Sequence, residues 1–68
     1  MNAQHYAYCA IWSPEDHQFV GLCEELPSLS WLASSRHKAL AGIAKVVSEV
    51  VADLQERGEP VPLSLAHT

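Results

Sequence analysis

The sequence predicts an α+β domain: a three-stranded antiparallel sheet in β-β-β-α order, with one long amphipathic helix on one face and room for a short fourth strand in the tail. Three observations carry this. Two runs rich in aromatic and β-favouring residues, HYAYCAIW and FVGLC, flank SPEDHQ, a segment with a proline and turn-prone Ser and Asp. A third run, SLSWLA, is short and alternating. After Ser34 and Ser35 the hydrophobic period changes from two to about 3.6.

The elements follow in order. Residues 5–12 contain no Gly or Pro and read as the first strand. Residues 19–23 form the second, joined to the first by a hairpin loop of about four or five residues. EELP breaks the pattern, Pro27 closes it, and residues 28–33 make the third strand. Leu40, Ile43, Ala44, Val47, Val50, Val51 and Leu54 then recur at helical spacing, with Lys38, Lys45, Glu49, Asp53 and Glu56 on the other side. A serine of the Ser34-Ser35 pair is the expected N-cap of a helix over residues 36–57, and Gly58 stands where a C-cap glycine belongs. Pro60 and Pro62 suit an extended end.

Size limits what this fold can be. The 68 residues make one domain, over 1–62, with a tail at 63–68. A chain this short buries only about 60% of its unfolded surface and usually gains support from disulfides, a metal or a partner chain. Two cysteines make no disulfide framework, and no Cys/His grouping has zinc spacing. Self-association, as a dimer or tetramer, or binding to another protein is the expected support. The 49% hydrophobic content argues for a folded domain rather than disorder. No stretch is long and apolar enough to cross a bilayer, and MNAQHYAYC lacks the features of a secretory signal. A cytoplasmic location, with Cys9 and Cys23 as reduced thiols, is the expectation. A net charge of −4 disfavours wholesale nucleic-acid binding and suits a basic partner.

The apolar surface exceeds what one helix covers. A helix over residues 36–57 is roughly 33 Å long, whereas strands of five or six residues reach about 17–20 Å. The tail or another chain must cover the overhang. In the first strand Ala7, Cys9 and Ile11 point one way, and Tyr6, Tyr8, Ala10 and Trp12 the other. Leu29, Trp31 and Ala33 share a side of the third strand, opposite Leu32. Covering one sheet face leaves an apolar or aromatic patch on the second, and such patches usually mark an interface. Tyr6, Tyr8, Trp12 and Trp31 are the interface candidates, with Glu24 and Glu25 as an acidic docking rim. The alternative is that the rings simply half-expose their amphipathic bodies and the acids are a solvated turn.

No catalytic residue, metal site or cofactor emerges, and the chain does not read as an enzyme. His5, His17, His37 and His67 share no metal-pair spacing and have no nearby placed nucleophile. Cys9 and Cys23 become cross-strand neighbours if the hairpin turns near residue 16, which permits a redox pair; small buried hydrophobes are the commoner reading. Arg36, His37 and Lys38 place positive charge in a first helical turn, against the macrodipole. With Ser35 they are candidates for holding a phosphate, carboxylate or RNA; solvated side chains are the plainer account.

Taken together, YAYCAIW, the turn, FVGLCEELPSLSW and the serine-capped helix ending in ADLQERGEPVP resemble the HicB-like antitoxin domain over residues 6–62. The resemblance implies a truncated ribonuclease H-like fold, an oligomer, and sequestration of a small basic toxin that degrades messenger RNA. It implies that Glu24, Glu25, Pro27, Leu29, Trp31 and the helix carry the domain signature, mostly structurally. Two features depart from the family. ASSRHK replaces the usual glycine–acid–threonine helix cap, and no ribbon-helix-helix or helix-turn-helix domain precedes the end at Thr68. Direct DNA binding is therefore not expected of this chain, and no ribonuclease H active site carries over. The remaining alternative is an orphan homo-oligomeric domain that binds an anion or RNA at the helix start.

Overall fold

A computed structural model describes residues 6–62, and it shows the α+β fold expected. Strands β1 (Tyr8–Ser13), β2 (Gln18–Cys23) and β3 (Ser30–Ala33) form one antiparallel sheet in the order β1-β2-β3, and helix α1 (Arg36–Glu56) lies across it. Glu59 to Pro62 make no strand, and the remainder of the tail, with His5 and His67, lies outside the described residues.

The β1–β2 turn occupies residues 14–17, where Ser13 Oγ donates to Asp16 Oδ2 at 2.9 Å. His17 takes φ 52°, a left-handed conformation that His, Asn and Asp enter more readily than other side chains. β3 begins two residues later than its pattern suggests. Pro27 splits the connection into consecutive turns, with Leu26 N–H donating to Cys23 O and Leu29 N–H to Leu26 O. Leu29 is thereby turned inward onto the core instead of extending the strand.

Both helix ends are closed as their residues dictate. Ser35 is the N-cap, and its hydroxyl accepts from Lys38 N–H at 3.2 Å. Gly58, at φ 72°, lets its own N–H reach Gln55 O while Glu59 N–H reaches Leu54 O. These are the paired bonds of a Schellman motif, which uses up carbonyls that the helix end leaves unpaired.

Register decides which residues meet the helix. Tyr8↔Cys23, Ala10↔Gly21 and Trp12↔Phe19 pair across β1 and β2; Phe19↔Ala33 and Gly21↔Trp31 pair across β2 and β3. These residues share the helix-facing side. At Gly21 an added Cβ would stand 2.4 Å from Ala39 O and 2.9 Å from Ile43 Cγ2, so the helix backbone rests almost directly on the strand. Ala39, absent from the expected apolar stripe, is fully buried at that contact.

The core comprises Tyr6, Cys23, Ile43, Val47 and Val51, with Tyr8, Leu26, Leu29 and Val61 packed against it. It runs beyond the sheet, under the second half of the helix. The overhang is covered from within the chain: Val61 folds back on it, and Tyr6 O–H donates to Pro62 O at 2.5 Å.

Three expectations change. Tyr6, a partner-surface candidate, is only 4% exposed because it sits in the core, with Val61 packed against that core and Pro62 O holding its hydroxyl. Glu25, expected on an acidic rim, is 8% exposed. Its carboxylate accepts from Ala7 N–H (3.0 Å to Oε1) and from Cys23 Sγ (3.4 Å), bracing the start of β1 against the β2–β3 connection. Cys9 pairs with Leu22, not Cys23; it is exposed on one face while Cys23 is buried on the other, so the two are not placed as a redox pair.

A candidate protein-interaction surface

With α1 on one side, the opposite face of the sheet has no covering element among the described residues. Ile11, Val20 and Leu32 form one row across the three strands, and Cys9, Leu22 and Ser30 form the next. Ile11 and Leu32 are 52% and 46% exposed; Val20 between them and Leu22 in the next row are half-buried. Ser13 and Gln18 complete the face at the turn end. None of these side chains carries a formal charge, so the face is a continuous aliphatic surface with a polar rim.

The tryptophans lie on the helix side, at the margins of the sheet. Trp12 meets Phe19 edge-to-face, with ring centroids 5.2 Å apart at 70°. Trp31 lies over Gly42 of the helix. Both stay about half-exposed, at 51% and 44%. Tyr8 is half-buried against the core, and Glu24 is exposed. Of the six partner-surface candidates, Trp12, Trp31 and Glu24 are therefore well exposed, and the two tryptophans lie on the side opposite the aliphatic face.

Ile11, Val20, Leu22 and Leu32 were missed as surface candidates, although one signal was present. A glycine inside a strand marks close approach by another backbone. Gly21 thus names the covered side of β2 and sets Val20 and Leu22 on the other.

The helix start is largely engaged in the fold. Ser35 Oγ serves the cap. Arg36 Nη1 donates to Ala10 O at 3.1 Å, and its guanidinium carbon stands 5.4 Å from the Phe19 ring centroid, within cation–π range. Two of the four candidate anion-binding groups thus have other partners, while His37 and Lys38 are exposed.

The buried corner around Tyr6 is apolar enough to raise the pKa values of its acids. Burial, then the Glu25 and Cys23 charges, holds Tyr6 above its ordinary value. Burial also raises Tyr8 and Cys23. Tyr6 and Cys23 belong to the core, and Tyr8 packs against it.

Exposed acids gather at the far end of the helix: Glu49, Asp53, Glu56 and Glu59, with Arg57 bridging Asp53 (2.9 Å) and Glu59 (3.2 Å). Among the described residues no three His, Cys, Asp or Glu side chains are grouped to hold a metal ion, and no helix is long and apolar enough to cross a membrane. No protein-family model, curated protein or solved structure matches the chain.

Proposed function

We propose that the chain is a protein-binding module of the HicB-like antitoxin kind, which oligomerises and sequesters a small basic partner that degrades messenger RNA. It acts by binding rather than by catalysis, in the cytoplasm. The observation that carries this reading is the Ile11–Val20–Leu32 row: an uncharged aliphatic face left open by a domain with one helix. Burying it against protein removes apolar area from water at about 25 cal/mol per Å². The net charge of −4 and the acidic helix end favour encounter with a basic molecule, and the aliphatic face then supplies contact.

The sequence resemblance motivates the kind of partner, and the uncovered face supports this side of the sheet as its dock. A tagged chain expressed at native level in its own cells tests both. A small basic protein recovered in stoichiometric amount, cleaving messenger RNA alone and silenced when the chain is added back, is the expected result. Ile11→Asp with Leu32→Asp should lose that protein. A chain recovered alone, or a partner retained equally by the double variant, contradicts the reading.

A further inference from the structure

We propose that β3 is the seam of a homodimer, in which a second copy sets its own β3 antiparallel alongside it, centred on Trp31, and joins the two sheets into one. This rests on the reading that copies of the chain associate, and it names where.

Ladder alternation distinguishes the two sheet edges. Glu24 N–H donates to Ala7 O, so residues 7, 9, 11 and 13 turn their backbone groups toward β2, and Tyr8, Ala10 and Trp12 turn theirs outward. The outer edge of β1 is obstructed, because Ala10 O already accepts from the Arg36 guanidinium. Continuing the alternation through β2, Phe19 and Gly21 bond to Ala33 and Trp31, which leaves Ser30 and Leu32 facing away from the sheet. Among the described residues no hydrogen bond outside the ladder reaches them. β3 is short, at four residues, and carries no other protection of an edge: SWLA includes no charge and no proline, and its register is unbroken.

The occupant follows from symmetry and charge. With Trp31 opposite the other copy's Trp31, Ser30 of each copy faces Leu32 of the other, and both outward residues are paired within the strand. Shifting the register leaves one of them beyond the strand end. Trp31 then occupies a non-hydrogen-bonded position, where side chains across the seam come closest, and the part of its ring that Gly42 leaves exposed gains cover.

Antiparallel pairing also places both helices on the same face of the joined sheet, running in opposite directions. Gly42 marks the flank of α1 beside β3, and Lys38, Lys45, Glu49 and Glu56 stand on its stripe at helical spacing, all exposed. That stripe is basic in its first half and acidic in its second. Within one chain the order opposes the helix dipole. Reversed against itself it is complementary, with lysines of each helix toward glutamates of the other. A basic partner would suit only the acidic half; a second copy suits both.

Sedimentation of the full chain through a dilution series, with disulfide capture, tests the seam. The expected result is a dimer that weakens several-fold as salt rises. In a Cys9→Ser background, mild oxidation should trap Trp31→Cys as a linked dimer, and Ser30→Cys about tenfold less, because only position 31 brings its own copy within disulfide reach. Leu32→Pro removes an outward N–H and leaves the β2–β3 ladder whole; it should keep its helix content and sediment as a monomer. This second variant decides the matter if Trp31→Cys does not fold. A dimer that survives Leu32→Pro, with no capture at position 31, overturns the seam while leaving association standing. A wild-type chain that is monomeric at every dilution overturns both the seam and the oligomeric part of the proposed function.

Discussion

The indole of Trp31 lies so close to the backbone of Gly42 that a methyl group at position 42 would stand 2.1 Å from its Cδ1 and Nε1 atoms. Helix propensity alone makes Gly42→Ala stabilising by about 1 kcal/mol. The contact reverses the sign, because the ring must leave its seat or the helix must lift. Overpacking of this kind costs about 1–3 kcal/mol. Urea unfolding should show the loss, and with Trp12→Phe isolating the signal, Trp31 emission should shift to the red. A stabilised variant with unchanged emission would show that the indole does not rest there.

Gly21→Ala should be worse than Gly42→Ala. Its new methyl meets the Ala39 carbonyl at 2.4 Å, which is backbone and cannot swing away as a half-exposed ring can. The cost expected is at the upper end of overpacking, about 3 kcal/mol. A urea midpoint above that of Gly42→Ala would contradict the close helix–sheet contact.

Glu24 and Glu25 are neighbours with opposite roles. Glu25→Ala strips the bonds to Ala7 N–H and Cys23 Sγ from a buried position, at about 1.5–3 kcal/mol for a charge-assisted bond. Glu24→Ala changes an exposed side chain and should stay within about 0.5 kcal/mol of wild type. Equal effects in chemical denaturation would remove the assigned brace.

Alkali should unfold the domain. Tyr6, Tyr8 and Cys23 hold their protons above their ordinary pKa values, chiefly through burial. The folded state therefore binds more protons than the unfolded one once pH passes the unfolded values, about 8.5 for Cys and 10 for Tyr. Their contribution is fully present below that window and is lost as pH rises through it. Urea midpoints should be flat near neutrality and fall above about pH 9. Tyr6→Phe should flatten the fall, and it should lower the neutral midpoint through loss of the Pro62 bond. Stability that rises with pH would contradict the burial of this corner.

How far the sequence speaks for this fold depends on the distance between the residues concerned. Ser35 capping Lys38 and Gly58 closing the helix involve chain neighbours, and the change of period at Ser34 announces the helix directly. Tyr6 meeting Pro62 joins opposite ends of the described chain, and nothing local signals it. Glu25 looks like Glu24 until the Cys23–Leu26 turn sends one inward and the other out. The surplus of apolar surface was legible from one helix over three strands. Its full extent is not legible from the aromatics alone: Tyr6 is buried, whereas Gly21 fixes the covered side and leaves Ile11, Val20, Leu22 and Leu32 uncovered. Arg36 reads from its position as a solvated side chain or an anion-ligand candidate, and nothing local signals its bond to the Ala10 carbonyl.

The most direct measurement is methyl NMR of Ile11, Val20, Leu22 and Leu32 with a soluble paramagnetic agent, first on the isolated chain and then on the assembly recovered from its own cells. In the isolated chain the Ile11 and Leu32 methyls should broaden strongly while Ile43 and Val47 stay sharp. In the native assembly all four face residues should become as protected as the core. Face methyls that remain fully accessible in that assembly would contradict the account, because the open side of the sheet would then not be where this chain meets another protein.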